Sequence, residues 1–302
     1  MTQTALASHT PDEDVESVTS EPTPPQPLPV DGVDLSWSTA GQGSPVLLIH
    51  GLGSSQRDWS RQVPALARAH RVVTYDQRGH GASSRALRAF TMRDLARDAA
   101  ALIRRLDLAR CHVVGLSLGG MVAFQLAVDE PELVRSLVIV NSGPEVVARN
   151  MKERSALLFR RALSRVLPMR WLAAIIVRRL FPHPQQQDLR AEFVERFASN
   201  HKPSYRKAMA AILGWSVSDC IDAVAQPVLV VSGDRDYTTV DRKRQYVNRL
   251  PRATLAVIEN SGHASPIDQA SEFNSLVLRF LEEVEGDTHE GLANPVAWPG
   301  RQ

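Results

Sequence analysis

The chain has 302 residues, 43% hydrophobic and 23% charged, enough to bury one large core with an insertion or to form two domains. Its formal net charge of +2 selects no partner by itself, and two cysteines, Cys111 and Cys220, argue against a disulfide-stapled scaffold. The longest apolar run, residues 171–177, is far short of the ~20 needed to cross a bilayer.

Charge is unevenly distributed. No Lys or Arg precedes Arg57, while Asp12, Glu13, Asp14, Glu16, Glu21, Asp31 and Asp34 do. Residues 1–29 are polar and rich in Pro, Ser and Thr, and no basic segment is followed by an apolar one. They are expected to form a disordered leader rather than a secretory signal, with a cytoplasmic location as the default. Residues 32–39 alternate apolar and polar side chains, as a half-exposed antiparallel edge strand does. Pro45-Val46-Leu47-Leu48-Ile49 is instead continuously apolar, the mark of a strand covered on both faces, and it stops at His50-Gly51-Leu52-Gly53.

A helix is expected over 59–68, then a strand over 71–75 ending at Asp76-Gln77-Arg78-Gly79-His80-Gly81. Thr91 and Asp94 resemble a capping box, and Leu95, Ala99, Leu102, Ile103 and Leu106 continue at helical spacing. Strands follow at 111–114 and 134–140, separated by a helix that ends near Glu130-Pro131. Strand and helix alternate from Val46 to Val140, which predicts parallel strands with right-handed crossovers and helices on both faces.

That alternation breaks at Gly143-Pro144. Residues 146–166, 169–180, 187–199 and 203–214 read as helices, so 144–225 form a helical cap inserted between the two core segments, 30–143 and 226–285. Strands are expected again at 227–231 and 253–258, helices at 240–250 and 267–285, and a flexible tail at 286–302. Both ends of the insertion adjoin parallel strands, at the edge where open α/β sheets bind ligands.

Gly115-Leu116-Ser117-Leu118-Gly119 joins a strand to a helix, a context in which a serine sits exposed on a strained turn at a helix N-terminus. A serine hydroxyl needs a base, and the base an orienting group. His263 follows the last strand and reaches the same sheet edge as Ser117. The chain order of serine, acid and histidine places the acid between them, where Asp236 fits best and Asp234 and Glu145 are the alternatives. An oxyanion formed at Ser117 is expected to accept from the backbone N–H groups of Leu118 and Leu52, while His50 braces its loop.

These pieces resemble the α/β-hydrolase superfamily. The resemblance rests on His50-Gly51-Leu52-Gly53, Asp76-Gln77-Arg78-Gly79-His80-Gly81, Gly115-Leu116-Ser117-Leu118-Gly119-Gly120, Gly233-Asp234-Arg235-Asp236 and Ser261-Gly262-His263, and it covers about 30–284 apart from the cap. It implies an eight-stranded, mostly parallel sheet with the cap after the sixth strand and with Ser117, Asp236 and His263 as triad. It also implies structural roles for Asp76, Arg78 and His80. The branch resembled contains capped esterases, lactonases, carbon–carbon hydrolases and cofactor-free haloperoxidases. Haloalkane dehalogenases and epoxide hydrolases look similar but carry Asp where this chain has Ser117.

The activity expected is hydrolysis of an ester-like bond in a small, apolar substrate through an acyl-enzyme, without cofactor or metal. Perhydrolysis, carbon–carbon cleavage and ligand binding without turnover are the alternatives. A dinucleotide-binding reading of Gly51-Leu52-Gly53 followed by Asp76 fails at Gln56, where a third glycine belongs. No zinc-ligand spacing, P-loop or nucleic-acid motif is present. The basic residues at 149–179 read as solvated faces of amphipathic helices. They also fit an interfacial segment making weak contact with a membrane surface. His183, His201 and Trp215 are candidates to line the pocket, with a core role the alternative for the tryptophan.

Overall fold

A computed structural model describes residues 21–289. Eight strands form one sheet: β1 (Gln26–Val30), β2 (Val33–Ala40), β3 (Ser44–Ile49), β4 (His70–Tyr75), β5 (Cys111–Leu116), β6 (Val134–Val140), β7 (Val228–Gly233) and β8 (Ala253–Ile258). Their order is β1-β2-β4-β3-β5-β6-β7-β8, antiparallel through β1, β2 and β4 and parallel from β4 to β8. The continuous apolar runs earn both faces their cover. In β5, Val113 packs into the cluster under one layer of helices and Val114 into the cluster under the other.

The helices are α1 (Val63–Leu66), α2 (Met92–Arg105), α3 (Leu118–Asp129), α4 (Met151–Val166), α5 (Met169–Leu180), α6 (Gln187–Ala198), α7 (Lys202–Ile212), α8 (Val240–Val247), α9 (Ser265–Asp268) and α10 (Ala270–His289). Helices α2, α3 and α8 cover one face of the sheet. On the other, α10 buries Phe273, Val277, Leu281 and Val284, each at one turn from the last. Each such side chain contributes about 2 kcal/mol of transfer free energy. The insertion α4–α7 follows β6 and has its own apolar cluster. That cluster also takes in Ala264 and Ile267, so the insertion rests directly on the segment after β8.

Register brings the strand ends level. Ile49 lies opposite Gly115, Leu116 opposite Val140, Val140 opposite Val231, and Gly233 opposite Ile258. The residues that follow, near 50, 117, 141, 234 and 259, therefore emerge along one edge. The chain runs from β3 outward to β4 and then returns to β5 on the other side, so the switch point lies between the ends of β3 and β5.

Several boundaries differ from the pattern-based expectation. Regular structure starts at Gln26, inside the segment expected to be a disordered leader. Pro27 and Pro29 are tolerated there because β1 is an edge strand, and Leu28 packs against the core. Residues 1–20 lie outside the described residues. The helix expected over 59–68 is a 3₁₀ turn, Gln56–Trp59, followed by the single turn of α1. Helix α4 starts at 151 rather than 146, since Asn150 caps it through the Glu153 N–H while Glu145 pairs with Ser216 in a short bridge. The closing helix is broken into α9 and α10 and runs past 286, so the part of the expected tail that is described is helical. Among the described residues no helix is long and apolar enough to cross a membrane.

The close approach of α3 to β3 yields a sharp test. A Cβ on Gly119 would stand 2.0 Å from the Ile49 carbonyl oxygen, with backbone on both sides. Gly119→Ala is expected to cost about 3 kcal/mol of stability by overpacking, read from urea unfolding midpoints. An unchanged midpoint would show that the helix can retreat.

Candidate active site

Strand β5 ends at Leu116 and α3 begins at Leu118, which leaves Ser117 alone to turn the chain. It does so at φ 54°, ψ −111°, a region that L side chains rarely occupy and that costs on the order of 1–3 kcal/mol. The turn is held by its surroundings. The Ser117 N–H donates to the Val140 carbonyl at 2.9 Å, and the Ser142 hydroxyl donates to the Ser117 carbonyl at 2.6 Å. A Cβ on Gly115 would lie 2.3 Å from the Gly119 carbonyl oxygen, which is why glycine stands on both sides of the turn.

The loop after β3 lies against the serine, since a Cβ on Gly51 would come within 3.6 Å of the Ser117 Cβ. His50 shapes this loop. Its Nδ1–H donates to the Gly51 carbonyl at 2.8 Å, and its Nε2 accepts from the Gln77 N–H at 3.0 Å. The Leu52 side chain packs against both the core and the insertion. The Gly53 carbonyl accepts from Asn200 at 2.7 Å, and Arg196 on α6 reaches the buried Asp58 at 3.3 Å, tying the insertion to the same loop. The Asp76 carboxylate accepts from the Gln56 and Ala82 N–H groups at 2.7 and 2.8 Å, and Arg78 is paired with Asp98 at 2.5 Å. Asp76 is thus engaged in tying its own turn to the 3₁₀ turn after β3, as a ribose-binding carboxylate would not be.

At the far side of the edge, the His263 Nδ1–H donates to Asp236 Oδ1 at 2.7 Å. The two other carboxylates weighed for this contact are engaged elsewhere. Asp234 accepts from the Ser261 N–H at 2.9 Å, and Glu145 from Arg149 at 2.7 Å. The second oxygen of Asp236 accepts from the Thr238 hydroxyl and from the Lys243 ammonium at 2.5 Å, and Lys243 is only 1% exposed. Burial by itself would raise the Asp236 pKa, but His263 and Lys243 hold it at about 2. Asn141, at the end of β6, locks the geometry: its amide donates to the His263 carbonyl at 3.0 Å and its oxygen accepts from the Gly233 N–H at 2.9 Å.

The outer nitrogen of His263 is occupied by a residue that periodicity does not flag. The Tyr237 hydroxyl donates to His263 Nε2 at 2.9 Å, with the two rings 4.2 Å apart. The same hydroxyl lies within reach of Ser117 and of Arg160 from α4, so a phenol stands between serine and imidazole. Burial pushes the Tyr237 pKa up to about 12 against the pull of Arg160, so the phenol stays protonated at neutral pH. Asn141, Arg160, Tyr237 and Lys243 all escaped the sequence reading. The one available signal was position, since Tyr237 directly follows Asp236 and Asn141 ends a buried run. Trp215 packs on the core and donates to Gln125 at 2.7 Å, and His201 faces Ser204 at 2.9 Å. His183 stands near Asp268.

The buried Asp236–Lys243 pair allows a stability test that is independent of activity. Asp236→Asn strands the Lys243 ammonium and is expected to cost about 3–5 kcal/mol, whereas Asp236→Asn with Lys243→Met recovers most of that loss. Denaturant midpoints of the two variants decide it, and equal losses would disprove the coupling.

A mostly parallel sheet with a strained strand–serine–helix turn at its switch point, an insertion after β6 and a histidine–carboxylate pair on the following loops is the α/β-hydrolase fold. The chain belongs to this family, matching its profile over residues 44–270. It is 34% identical over 254 residues, 80% of this chain and 93% of the other, to a Variovorax paradoxus protein that bears the name carbamate hydrolase RutD. A Mycobacterium tuberculosis protein named non-heme bromoperoxidase BpoC is 29% identical over 277 residues, 84% of this chain and 99% of the other. Among solved structures, the enol-lactonase from Burkholderia xenovorans LB400 superposes with a TM-score of 0.79 at 25% identity, over 85% of this chain and 100% of that one.

Proposed function

We propose that the chain is a serine hydrolase that cleaves a carboxylic ester or lactone of a small molecule through an acyl-enzyme. The observation that carries this reading is the 2.7 Å bond from His263 Nδ1–H to Asp236, on the same sheet edge as the strained Ser117 turn. With Nδ1 protonated, Nε2 is the basic nitrogen and takes the Ser117 proton as the oxygen attacks the carbonyl carbon. Asp236, ionised at neutral pH, stabilises the imidazolium. The oxyanion accepts from the Leu118 N–H at the N-terminus of α3 and from the Leu52 N–H of the facing loop. The imidazolium returns its proton to the leaving alcohol, and water then repeats the sequence to release the acid.

Tyr237 must leave Nε2 for Ser117 to reach it. It is held there by its hydrogen bond to Nε2, by the ring contact and by the neighbouring Ser117 and Arg160, while 47% of its surface is exposed. A hydrogen bond of about 1 kcal/mol is a factor of roughly five, so Tyr237→Phe is expected to raise kcat/KM about fivefold. A fall of tenfold or more would mean that the phenol relays the proton instead.

The reading itself is tested by mixing the protein with p-nitrophenyl esters of graded chain length and with lactones. A burst of one p-nitrophenol per chain, with the acyl mass on the peptide containing Ser117, is expected. Ligand binding without burst or adduct would overturn it in favour of a receptor.

A further inference from the structure

Two polar atoms of the insertion, the Tyr205 hydroxyl and Arg160 Nε, are buried without a close hydrogen-bond partner among the described residues. Tyr205 on α7 has 0% exposure and packs its ring 5.2 Å from Phe197, yet its hydroxyl makes no close hydrogen bond among the described residues, with the Arg160 guanidinium within reach. Arg160 projects from the inward side of α4, beside the phenols of Tyr205 and Tyr237, and its Nε is sealed from solvent without an acceptor. Glu153 is the one acid in residues 151–180, and it is engaged with Arg242 at 3.3 Å and with the Arg149 N–H at 2.9 Å. A guanidinium N–H and a hydroxyl sealed from water without a well-placed partner are costly, and a ligand oxygen relieves that cost. Arg160 lies within reach of both phenols, Tyr205 and Tyr237, and the Tyr237 hydroxyl itself lies within reach of Ser117. An acceptor bound to Arg160 is thus separated from Ser117 by the Tyr237 phenol.

We propose that Arg160 and Tyr205 form a carboxylate subsite, so that the ester or lactone cleaved at Ser117 carries an anionic end, as a half-ester of a short dicarboxylic acid does. This rests on the hydrolase reading and replaces the apolar substrate expected in the sequence analysis. Arg suits the task because its planar fork matches a carboxylate.

The test pairs mono-p-nitrophenyl glutarate with p-nitrophenyl valerate. The expected kcat/KM ratio favours the anionic ester by tenfold or more, collapses toward unity in Arg160→Gln and is partly retained in Arg160→Lys. Calorimetry on Ser117→Ala is expected to show glutarate binding and no glutaramide binding, with glutarate binding lost when Arg160→Gln is added. Hydrolysis of both esters with no preference, and no glutarate binding, would overturn the subsite and leave the hydrolase reading intact. Arg160-dependent glutarate binding without hydrolysis of either ester would do the reverse. Should Arg160→Gln fail to fold, glutarate against glutaramide on Ser117→Ala decides alone.

A separate surface carries a second inference. The outward side of α4 and α5 exposes Met151 (76%), Leu158 (55%), Phe159 (65%), Val166 (78%), Trp171 (67%) and Ile175 (50%). On α4 the four fall within roughly 100° of arc, opposite the buried Ser164. Exposed Arg154, Arg161, Arg165, Arg178 and Arg179 border them. An apolar stripe with a basic rim complements an anionic lipid surface, with the rings and aliphatic chains in the headgroup boundary and the arginines on the phosphates. We infer that this face of the insertion docks on such a surface. The protein is expected to pellet with vesicles of equal parts phosphatidylglycerol and phosphatidylcholine at low salt, and at least fivefold less in Phe159→Ser with Trp171→Ser or on pure phosphatidylcholine. No pelleting, or pelleting unchanged by the double substitution, would overturn it. So would a dimer in sedimentation velocity that the same substitutions dissociate.

Discussion

Ser117→Ala is expected to lower kcat on a p-nitrophenyl ester by on the order of a million-fold, leaving only the rate that binding and the oxyanion donors provide. In the proposed mechanism every later step passes through the bond that Ser117 Oγ forms, and within the turn between Leu116 and Leu118 no other side chain can replace it. The backbone adds a second expectation. Because the residue sits at φ 54°, alanine inherits the strain while glycine relieves it. Ser117→Gly is therefore expected to be as inactive as Ser117→Ala yet about 1 kcal/mol more stable than the parent. Turnover that survives either substitution would remove Ser117 from the mechanism, whatever the stability.

Acid is expected to unfold the protein well above the usual carboxylate range. His50 and His80 are buried with ring centroids 5.2 Å apart. Burial lowers His50 from 6.5 to about 4, and burial together with the neighbouring His50 lowers His80 to about 3. Above about pH 6.5 neither state takes up a proton at these rings, so stability does not respond to them. As pH falls below that value the unfolded chain binds protons that the folded chain refuses, and each histidine costs about 1.4 kcal/mol per pH unit until its folded pKa is reached. From about pH 6.5 to about pH 4 the pair amounts to about 7 kcal/mol, comparable to the entire stability of an ordinary domain. Burial raises Asp58, Asp76 and Asp98, which offsets part of the loss at the acid end, because the folded chain holds those protons more tightly. The urea midpoint should be level from about pH 8 to about pH 7 and fall steeply from about pH 6. A midpoint that stays level down to about pH 5 would contradict neutral burial of these rings.

Part of the site could be read from local pattern because its chemistry sits at strand ends, and strand ends are marked by where apolar runs stop. Val113-Val114 leading to Gly115, and Val230-Val231 leading to Gly233, place Ser117 and Asp236 on one edge once the strands are parallel. The prolines of β1 misled for a local reason, since composition describes a free chain and not one whose edge is paired to β2. The partners of Asp236 illustrate what local pattern omits. Lys243 looks like a surface residue of a charged helix until the fold turns its ammonium onto the carboxylate.

By itself, the sequence determined the alternation of buried strands and helices, the helical insertion after β6 and the residue types at the strand ends. Each depends on periodicity and turn chemistry within about ten residues, where burial leaves a visible trace. Tertiary structure alone decided that Asp236 rather than Asp234 or Glu145 meets His263, that Asn141 ties β6 to the His263 loop, and that Tyr237 stands between His263 and Ser117. It also brought Arg160 from α4 within reach of both that phenol and Tyr205 on α7. Those contacts join residues far apart in the chain, and no periodicity encodes which of several similar side chains a packed core will turn inward.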